Sequence, residues 1–240
     1  MRKSQKKTQP LDYMSQQGEI KPSMRSVLVD WIVELGMELR VKNETLFLTI
    51  NYLDRYLSQT QVTKEQFQLI GASTFLIACK YEEYRAPNPY QIQVLAGNYF
   101  TVKQLFEVES HILKVLGFNL TTPTTKFFLT RYLRAVSRDG TVCALAHFYG
   151  ELSLMDYDLM NQYPSIVAAA CVYLALKTVN RPWTSTLTYY TRVFVDDPYF
   201  QQTVKILWEL HRSNNNLFTI KQKYAQLIHL IPPLQVLTFN

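Results

Sequence analysis

Two alanine-containing apolar segments, 97 residues apart, constrain the fold of this chain more than any other feature of its sequence. They run from Ile70 to Lys80 and from Val167 to Lys177. Identical residues stand at three matching positions: Ala72 and Ala169, Ala78 and Ala175, Lys80 and Lys177. A helix that is apolar nearly all round is a central helix, packed closely by its neighbours. Two such helices predict two similar helical units of about 100 residues each, with a boundary near residues 119–123.

Signals for helix starts recur along the chain, whereas the alternation typical of strands is almost absent. From Pro22 onward, apolar residues return at spacings of three and four, as on one face of a helix. Capping boxes, or a capping side chain before proline, mark further starts at Thr63, Asn88–Pro89, Thr101 and Thr122–Pro123. A last pair of helices is predicted at Trp183–Phe194 and Pro198–Ser213. Since 48% of the residues are hydrophobic and 18% are charged, an all-α chain of about ten or eleven packed helices is predicted.

The net charge of +6 is concentrated at the N-terminus. Four basic residues and no acidic residue occur in the first ten positions, which leaves +2 for the other 230 residues. This distribution predicts a basic tail and is a weak indication of nucleic-acid binding. The longest apolar stretch, Ile166–Leu176, is shorter than the ~18 residues that suggest a membrane span. Because no signal peptide is recognisable either, we expect a soluble intracellular protein with no membrane partner.

The motifs of common catalytic and metal sites are missing from the sequence. It contains no glycine-rich phosphate loop, and its four histidines lack a cysteine or carboxylate at metal-ligand spacing. The three cysteines show no C-x-x-C spacing, and Cys79 and Cys171 stand in apolar helical runs that predict buried thiols. We therefore expect no cofactor, no metal and no catalytic residue, and favour a binding protein.

Five segments, in order along the chain, resemble the cyclin family and within it the A/B-type (mitotic) branch. They are Met24–Trp31 (MRSVLVDW), Asn43–Leu46 (NETL), Asn51–Leu57 (NYLDRYL), Ala78–Glu83 (ACKYEE), and Glu109 followed by Leu113–Leu116 (LKVL). The resemblance extends over about residues 12 to 230. It implies an all-α fold of two tandem five-helix cyclin folds, which agrees with the internal repeat. The implied domains are a basic tail with the remnant of an N-terminal helix (1–22), an N-terminal cyclin box (23–121) and a C-terminal cyclin fold (122–240).

The resemblance also implies a function. Cyclins are non-catalytic regulatory subunits that bind and activate cyclin-dependent Ser/Thr kinases in cell-cycle control, so we expect a heterodimer with such a kinase in the nucleus and cytoplasm. The implied kinase-binding residues are Ile77, Lys80, Tyr81, Glu82, Glu109, Leu113, Phe118 and Leu120. Without the resemblance, Lys80 and Glu109 would be interpreted as a solvated surface ion pair, worth only ~0–1 kcal/mol.

Arg25 and Asp54 interrupt apolar helical stripes. A lone buried charge costs several kcal/mol, so each residue needs a partner. The resemblance pairs them with each other as a structural link between the first two helices of the box.

A third set of residues is implied to form a groove for Arg-x-Leu peptides of substrates and inhibitors: Met24, Val27, Leu28, Trp31, Glu34, Lys64 and Gln68. Periodicity alone would place the apolar members in an ordinary core. In the implied groove, Glu34 meets the basic end of the peptide and Gln68 bonds its backbone. An apolar slot rimmed by a carboxylate suits a ligand in which leucine follows a cation.

The main alternative is a different class of protein, a general transcription factor of the IIB type, which also stacks two cyclin folds but grips promoter DNA. That class favours basic residues spread over the second repeat and a preceding zinc ribbon. Here residues 123–240 carry 11 Lys and Arg against 7 Asp and Glu, and no C-x-x-C is present. We therefore expect no direct contact with nucleic acid.

Overall fold

The computed structural model describes residues 2–136, 139–213 and 218–228, and the regular elements in those ranges are all helices. This confirms the predicted all-α class. The chain divides into two compact units, one of residues 6–122 and one of residues 1–5 with 123–240. A one-turn helix, α1 (Arg2–Gln5), opens the chain. The predicted tail of residues 1–22 is thus divided between the two units.

The first unit is built around one buried helix. Its helices are α2 (Pro22–Glu38), α3 (Asn43–Leu57), α4 (Lys64–Glu82), α5 (Pro89–Leu95) and α6 (Val102–Val115). Helix α4 packs against α2, α3 and α6, and every residue from 70 to 79 is buried. Because α4 is enclosed on three sides, the small residues of its middle turns let its neighbours approach closely.

The second unit repeats this arrangement around α10. Its helices are α7 (Thr125–Leu133), α8 (Gly140–Leu152), α9 (Tyr157–Met160), α10 (Pro164–Thr178), α11 (Ser185–Thr191), α12 (Pro198–Arg212), α13 (Phe218–Lys223) and α14 (Ala225–Ile228). Helix α10 packs against α7, α8 and α12, and residues 167 to 176 are all buried. The two apolar segments of the sequence are therefore the central helices of their units. Cys79 and Cys171 lie in these cores, where burial raises the pKa of both thiols.

Most helices begin where the sequence predicts. Capping boxes are present at Thr63 and Thr101, and Asn88 caps α5. The start predicted at Thr122–Pro123 is wrong, because the Thr124 hydroxyl accepts the hydrogen bond from the Phe127 amide at 3.0 Å and α7 begins one residue after this cap. The Thr122 hydroxyl instead lies 2.6 Å from that of Thr8.

Helix α11 is shorter at both ends than the predicted segment Trp183–Phe194. Its N-cap is Thr184, whose hydroxyl accepts a hydrogen bond from the Leu187 amide. It ends at Thr191 because Arg192 adopts a left-handed conformation with φ of 50°. Such a residue reverses the chain and stops the helical hydrogen-bond ladder.

The first residues of the predicted basic tail are fixed to the second unit. The Arg2 guanidinium donates to the Tyr132 hydroxyl at 3.1 Å and to the carbonyl of Thr191. The side-chain amide of Gln5 donates to the Ser165 hydroxyl at 3.1 Å and accepts from the Ser165 amide at 3.2 Å. None of the helices in the described ranges combines the length and the apolar composition needed to cross a membrane.

Candidate functional site

Helices α2 and α3 are joined by a buried ion pair. Arg25 donates from Nε to Oδ1 of Asp54 at 2.8 Å and from Nη2 to Oδ2 at 2.7 Å. The Tyr13 hydroxyl donates to the same Oδ1 at 2.8 Å. Burial opposes the charge on Arg25, but the Asp54 carboxylate and its hydrogen bonds outweigh burial and raise the pKa of Arg25. The structure thus brings together the two residues that the resemblance pairs, and the pair holds the first unit in shape.

A second ion pair, between Lys80 and Glu109, lies at the surface of the same unit. Lys80 lies in the last turn of α4, and its Nζ lies 2.7 and 2.8 Å from the two carboxylate oxygens of Glu109 on α6. The Lys80 side chain is 45% exposed and that of Glu109 is 10% exposed. The Lys80 ammonium also lies 5.2 Å from the centroid of the Phe106 ring. The pair is therefore accessible to a partner, although its carboxylate is largely desolvated.

Aromatic side chains on this face are unusually exposed. Phe118, which follows α6, is 67% exposed, and Tyr81 and Phe106 are 45% and 43% exposed. Of the other predicted kinase-binding residues, Glu82, Leu113 and Leu120 are half-buried. Ile77 is buried in the core, so it does not line this surface, and its assignment as a contact residue is corrected. We call the end of α4, the middle of α6 and residues 117–121 the Lys80 surface.

Residues that the sequence analysis did not single out fix the end of α4 onto the start of α3. Glu83 accepts hydrogen bonds from the Lys42 amide at 2.7 Å and from the Thr45 hydroxyl. The Lys42 ammonium donates to the Glu82 carbonyl at 2.7 Å and lies 3.2 Å from its carboxylate. Thr45 and Glu83 stand in the NETL and ACKYEE segments, so their motif membership was the signal that could have identified them.

The residues predicted to form the peptide groove stand on α2 and at the start of α4. Val27 is 71% exposed, Met24, Trp31 and Gln68 are half-buried, and the rim residues Glu34 and Lys64 are exposed. Leu28 differs from these neighbours because it is buried in the core. This corrects its assignment as a lining residue, since its side chain packs on Gly71. A Cβ atom at Gly71 would lie only 2.9 Å from Leu28 Cδ1, so glycine is what permits this close approach.

Both units match family models of one family. Residues 1–121 match the N-terminal domain of cyclins, and residues 123–229 match the cyclin C-terminal domain. The chain therefore belongs to the cyclin family, as its five sequence segments predict.

The curated relatives place the chain near A-type cyclins. It is 40% identical over 227 residues to Cyclin-A1-2 of Arabidopsis thaliana, covering 90% of this chain and 51% of that protein. It is also 40% identical over 223 residues to Cyclin-A1-4 of Oryza sativa subsp. japonica, covering 88% and 61% respectively. The chain thus spans between half and two thirds of the length of these relatives.

Solved structures share the fold at lower sequence identity. A viral cyclin from herpesvirus saimiri superposes with a TM-score of 0.75 at 22% identity, covering 87% of this chain and 91% of that one. A chain of the yeast RNA Pol II CTD kinase CTDK-1 complex superposes with a TM-score of 0.63 at 16% identity, covering 96% and 73%. These similarities confirm the tandem cyclin fold predicted from the sequence.

Proposed function

We propose that this chain is the regulatory subunit of a cyclin-dependent Ser/Thr protein kinase, which it binds and activates without taking part in the chemistry. The observation that carries the proposal is the Lys80–Glu109 pair, in which the half-exposed Lys80 stands over a nearly buried Glu109 on the same surface as the exposed Tyr81 and Phe118, in a member of the cyclin family. An exposed aromatic surface around a partly desolvated charge pair is the composition expected of a protein interface.

The Lys80 surface offers a partner two kinds of contact. The ammonium group carries three donors and the carboxylate has several acceptor sites, so both can bond the backbone of a docked helix and loop while remaining paired. Tyr81 and Phe118 supply apolar area that is exposed to solvent in the free chain. The charges fix the orientation of the partner, and the aromatic rings contribute most of the binding free energy.

Activation follows from a shift of population in the kinase. A kinase active site requires an ion pair between a lysine and a glutamate of its regulatory helix, and the position of that helix controls whether the pair forms. A surface that binds only the inward position of the helix pulls the conformational equilibrium toward it. The cyclin therefore raises kinase activity through differential affinity for one conformation.

We further propose that the face between α2 and α4 docks Arg-x-Leu segments of substrates and inhibitors. The exposed Val27 and the half-buried Met24 and Trp31 offer an apolar slot, and Glu34 provides an anionic rim for the arginine. Location in the nucleus and cytoplasm is proposed from the family resemblance. Fluorescence imaging of the tagged full-length protein tests it, and exclusion from the nucleus would contradict it.

The kinase assignment is tested by co-expression with candidate cyclin-dependent kinases, followed by gel filtration and histone phosphorylation. The double variant Lys80→Ala/Glu109→Ala should weaken kinase binding by about 30-fold or more, since truncating an interface hot spot costs about 2 kcal/mol. Its helical circular dichroism should be unchanged. The matched control Lys205→Ala/Glu209→Ala removes an exposed ion pair of the second unit, 3.9 Å long, and should bind normally.

Full activation by the Lys80→Ala/Glu109→Ala variant would refute the assignment of this surface. Steeply salt-dependent DNA binding without kinase binding would instead support the transcription-factor alternative. Neither the family models nor the curated relatives favour that alternative.

A further inference from the structure

The segment that follows α6 has an unusual backbone. Gly117 and Phe118 both adopt left-handed conformations, with φ of 58° and 56°. Glycine tolerates such a conformation, but a bulky residue rarely does, and it persists only where surrounding contacts hold it. The Phe118 amide donates to the Leu113 carbonyl at 3.0 Å, which closes the end of the helix. This backbone leaves the Phe118 ring projecting into solvent.

Two side chains of α3 hold the next two residues of the segment. Arg55 donates from Nη1 to the Asn119 carbonyl at 2.9 Å, and the Tyr52 hydroxyl donates to the Leu120 carbonyl at 2.9 Å. Because Tyr52 and Arg55 are three residues apart on a helix, they share one face. The segment is thus fixed from α3 at two successive carbonyl groups.

A third hydrogen bond fixes the segment to α4. The hydroxyl groups of Tyr81 and Thr121 are 2.9 Å apart. Tyr81 is itself a predicted kinase-binding residue, so this bond joins two parts of the Lys80 surface.

The burial of Arg55 carries a free-energy cost, because its side chain is charged. It is only 8% exposed, and no acidic side chain of the described ranges lies within ion-pair distance of it. Burial lowers the pKa of Arg55 and raises that of Tyr52. A buried guanidinium without a carboxylate destabilises a fold, so a purely structural role would be served better by an apolar residue. The guanidinium of Arg55 instead donates a hydrogen bond to the Asn119 carbonyl of the segment after α6.

We propose that Tyr52 and Arg55 are positioning residues, which hold residues 117–121 so that Phe118 and Leu120 are presented to the kinase. The proposal rests on the proposed function, because it assigns these two residues a role in kinase binding through the segment. It goes beyond the predicted contact set, which contains neither residue.

The test measures kinase affinity and stability together in Tyr52→Phe and Arg55→Gln variants of the full chain. Each should weaken kinase binding by about tenfold, which corresponds to about 1.4 kcal/mol. The matched control is Tyr149→Phe, which removes a buried hydroxyl 3.3 Å from that of Thr178 in the second unit. It should lower the urea midpoint comparably but leave kinase affinity within about twofold of wild type. If Arg55→Gln fails to fold, Tyr52→Phe alone decides, since it removes a single hydroxyl group.

A double-mutant cycle separates positioning from direct contact. In a Phe118→Ala background, Arg55→Gln should cause a smaller further loss of affinity than in the wild type, because one of the two side chains that it positions is already absent. Hydrogen exchange at the amides of residues 118–121 should be faster in Arg55→Gln, with or without kinase in the sample. Full additivity with Phe118→Ala, or unchanged exchange, would overturn the positioning role.

Failure of the proposed function would give a different result. If the wild-type chain bound no kinase, the function itself would be refuted, and the role of the segment with it. If the wild type bound kinase and both variants bound equally well, only the positioning role would be refuted.

Discussion

The stability of the first unit depends most sharply on the buried pair of Arg25 and Asp54. Arg25→Met leaves a carboxylate buried without its cation, and Asp54→Asn leaves a guanidinium buried without its anion. With charge centres roughly 4 Å apart and an effective dielectric constant near 20, the lost attraction is about 4 kcal/mol. Removing one partner of a buried pair typically costs ~3–5 kcal/mol, in agreement. We expect each substitution to lower the free energy of unfolding of the first unit by about that amount.

The double variant Arg25→Met/Asp54→Asn tests the reasoning. It buries no charge, and the asparagine oxygen still accepts from the Tyr13 hydroxyl, so it should be more stable than either single variant. Urea denaturation followed by circular dichroism at 222 nm measures all four proteins. If the double variant loses the sum of the two single losses, the residues act independently and the reasoning is refuted.

The same assay compares this pair with the Lys80–Glu109 pair. Since Lys80 is half-exposed, Lys80→Ala/Glu109→Ala should lower stability by only ~0–1 kcal/mol. A loss as large as that of Arg25→Met would show that Lys80 and Glu109 are structural residues and would weaken the case for a binding surface.

Three further predictions follow from the geometry. Val27→Ala should leave the free energy of unfolding within about 0.5 kcal/mol of wild type but weaken the binding of an Arg-x-Leu peptide several-fold, as measured by fluorescence polarisation. Unchanged affinity would exclude this residue from the groove. Gly71→Ala should cost about 1–3 kcal/mol in urea denaturation because its Cβ would press on Leu28, and a neutral effect would contradict the close packing of α2 on α4. Burial and, to a smaller extent, Lys126 lower the pKa of His147 to about 4, below its ordinary 6.5. Protonation therefore favours the unfolded chain, and stability decreases as the pH is lowered from 6.5 to 4. Accordingly His147→Gln should lose less stability than wild type between pH 7 and 5, and parallel pH profiles would contradict it.

The features that could be predicted from the sequence are those that leave a chemical mismatch or a strong periodicity. The runs Ile70–Cys79 and Val167–Leu176 are too apolar for any surface, so their central positions followed from the residues alone. Arg25 and Asp54 are charged residues within apolar stripes, so their need for oppositely charged partners could also be predicted. Their pairing with each other came from the family resemblance, and the structure brings them together.

Other features depend on partners that carry no signal in the sequence. Arg55 is held by a backbone carbonyl, which any residue at position 119 would provide, so its role was not predictable. The burial of Leu28 depends on the distance between α2 and α4, which Gly71 permits to be short. Periodicity predicts which face of a helix is apolar, but it does not predict how deeply each residue of that face is buried. Helix α7 starts at Thr125 with Thr124 as its cap; four threonines flank Pro123, and the hydroxyl of Thr122 is engaged by that of Thr8.

Two ion pairs of similar geometry thus have different consequences because their exposures differ. Arg25 and Asp54 are 1% and 3% exposed, so no partner can reach them and their entire effect is on folding. Lys80 is 45% exposed over a nearly buried Glu109, so the fold already bears the desolvation cost of the carboxylate while the ammonium remains available. A partner that docks here has little further desolvation to overcome at Glu109, and its own backbone groups gain charged hydrogen-bonding partners. The preorganised pair therefore favours one pose of the docked element, which is the property that a regulator acting through differential affinity requires.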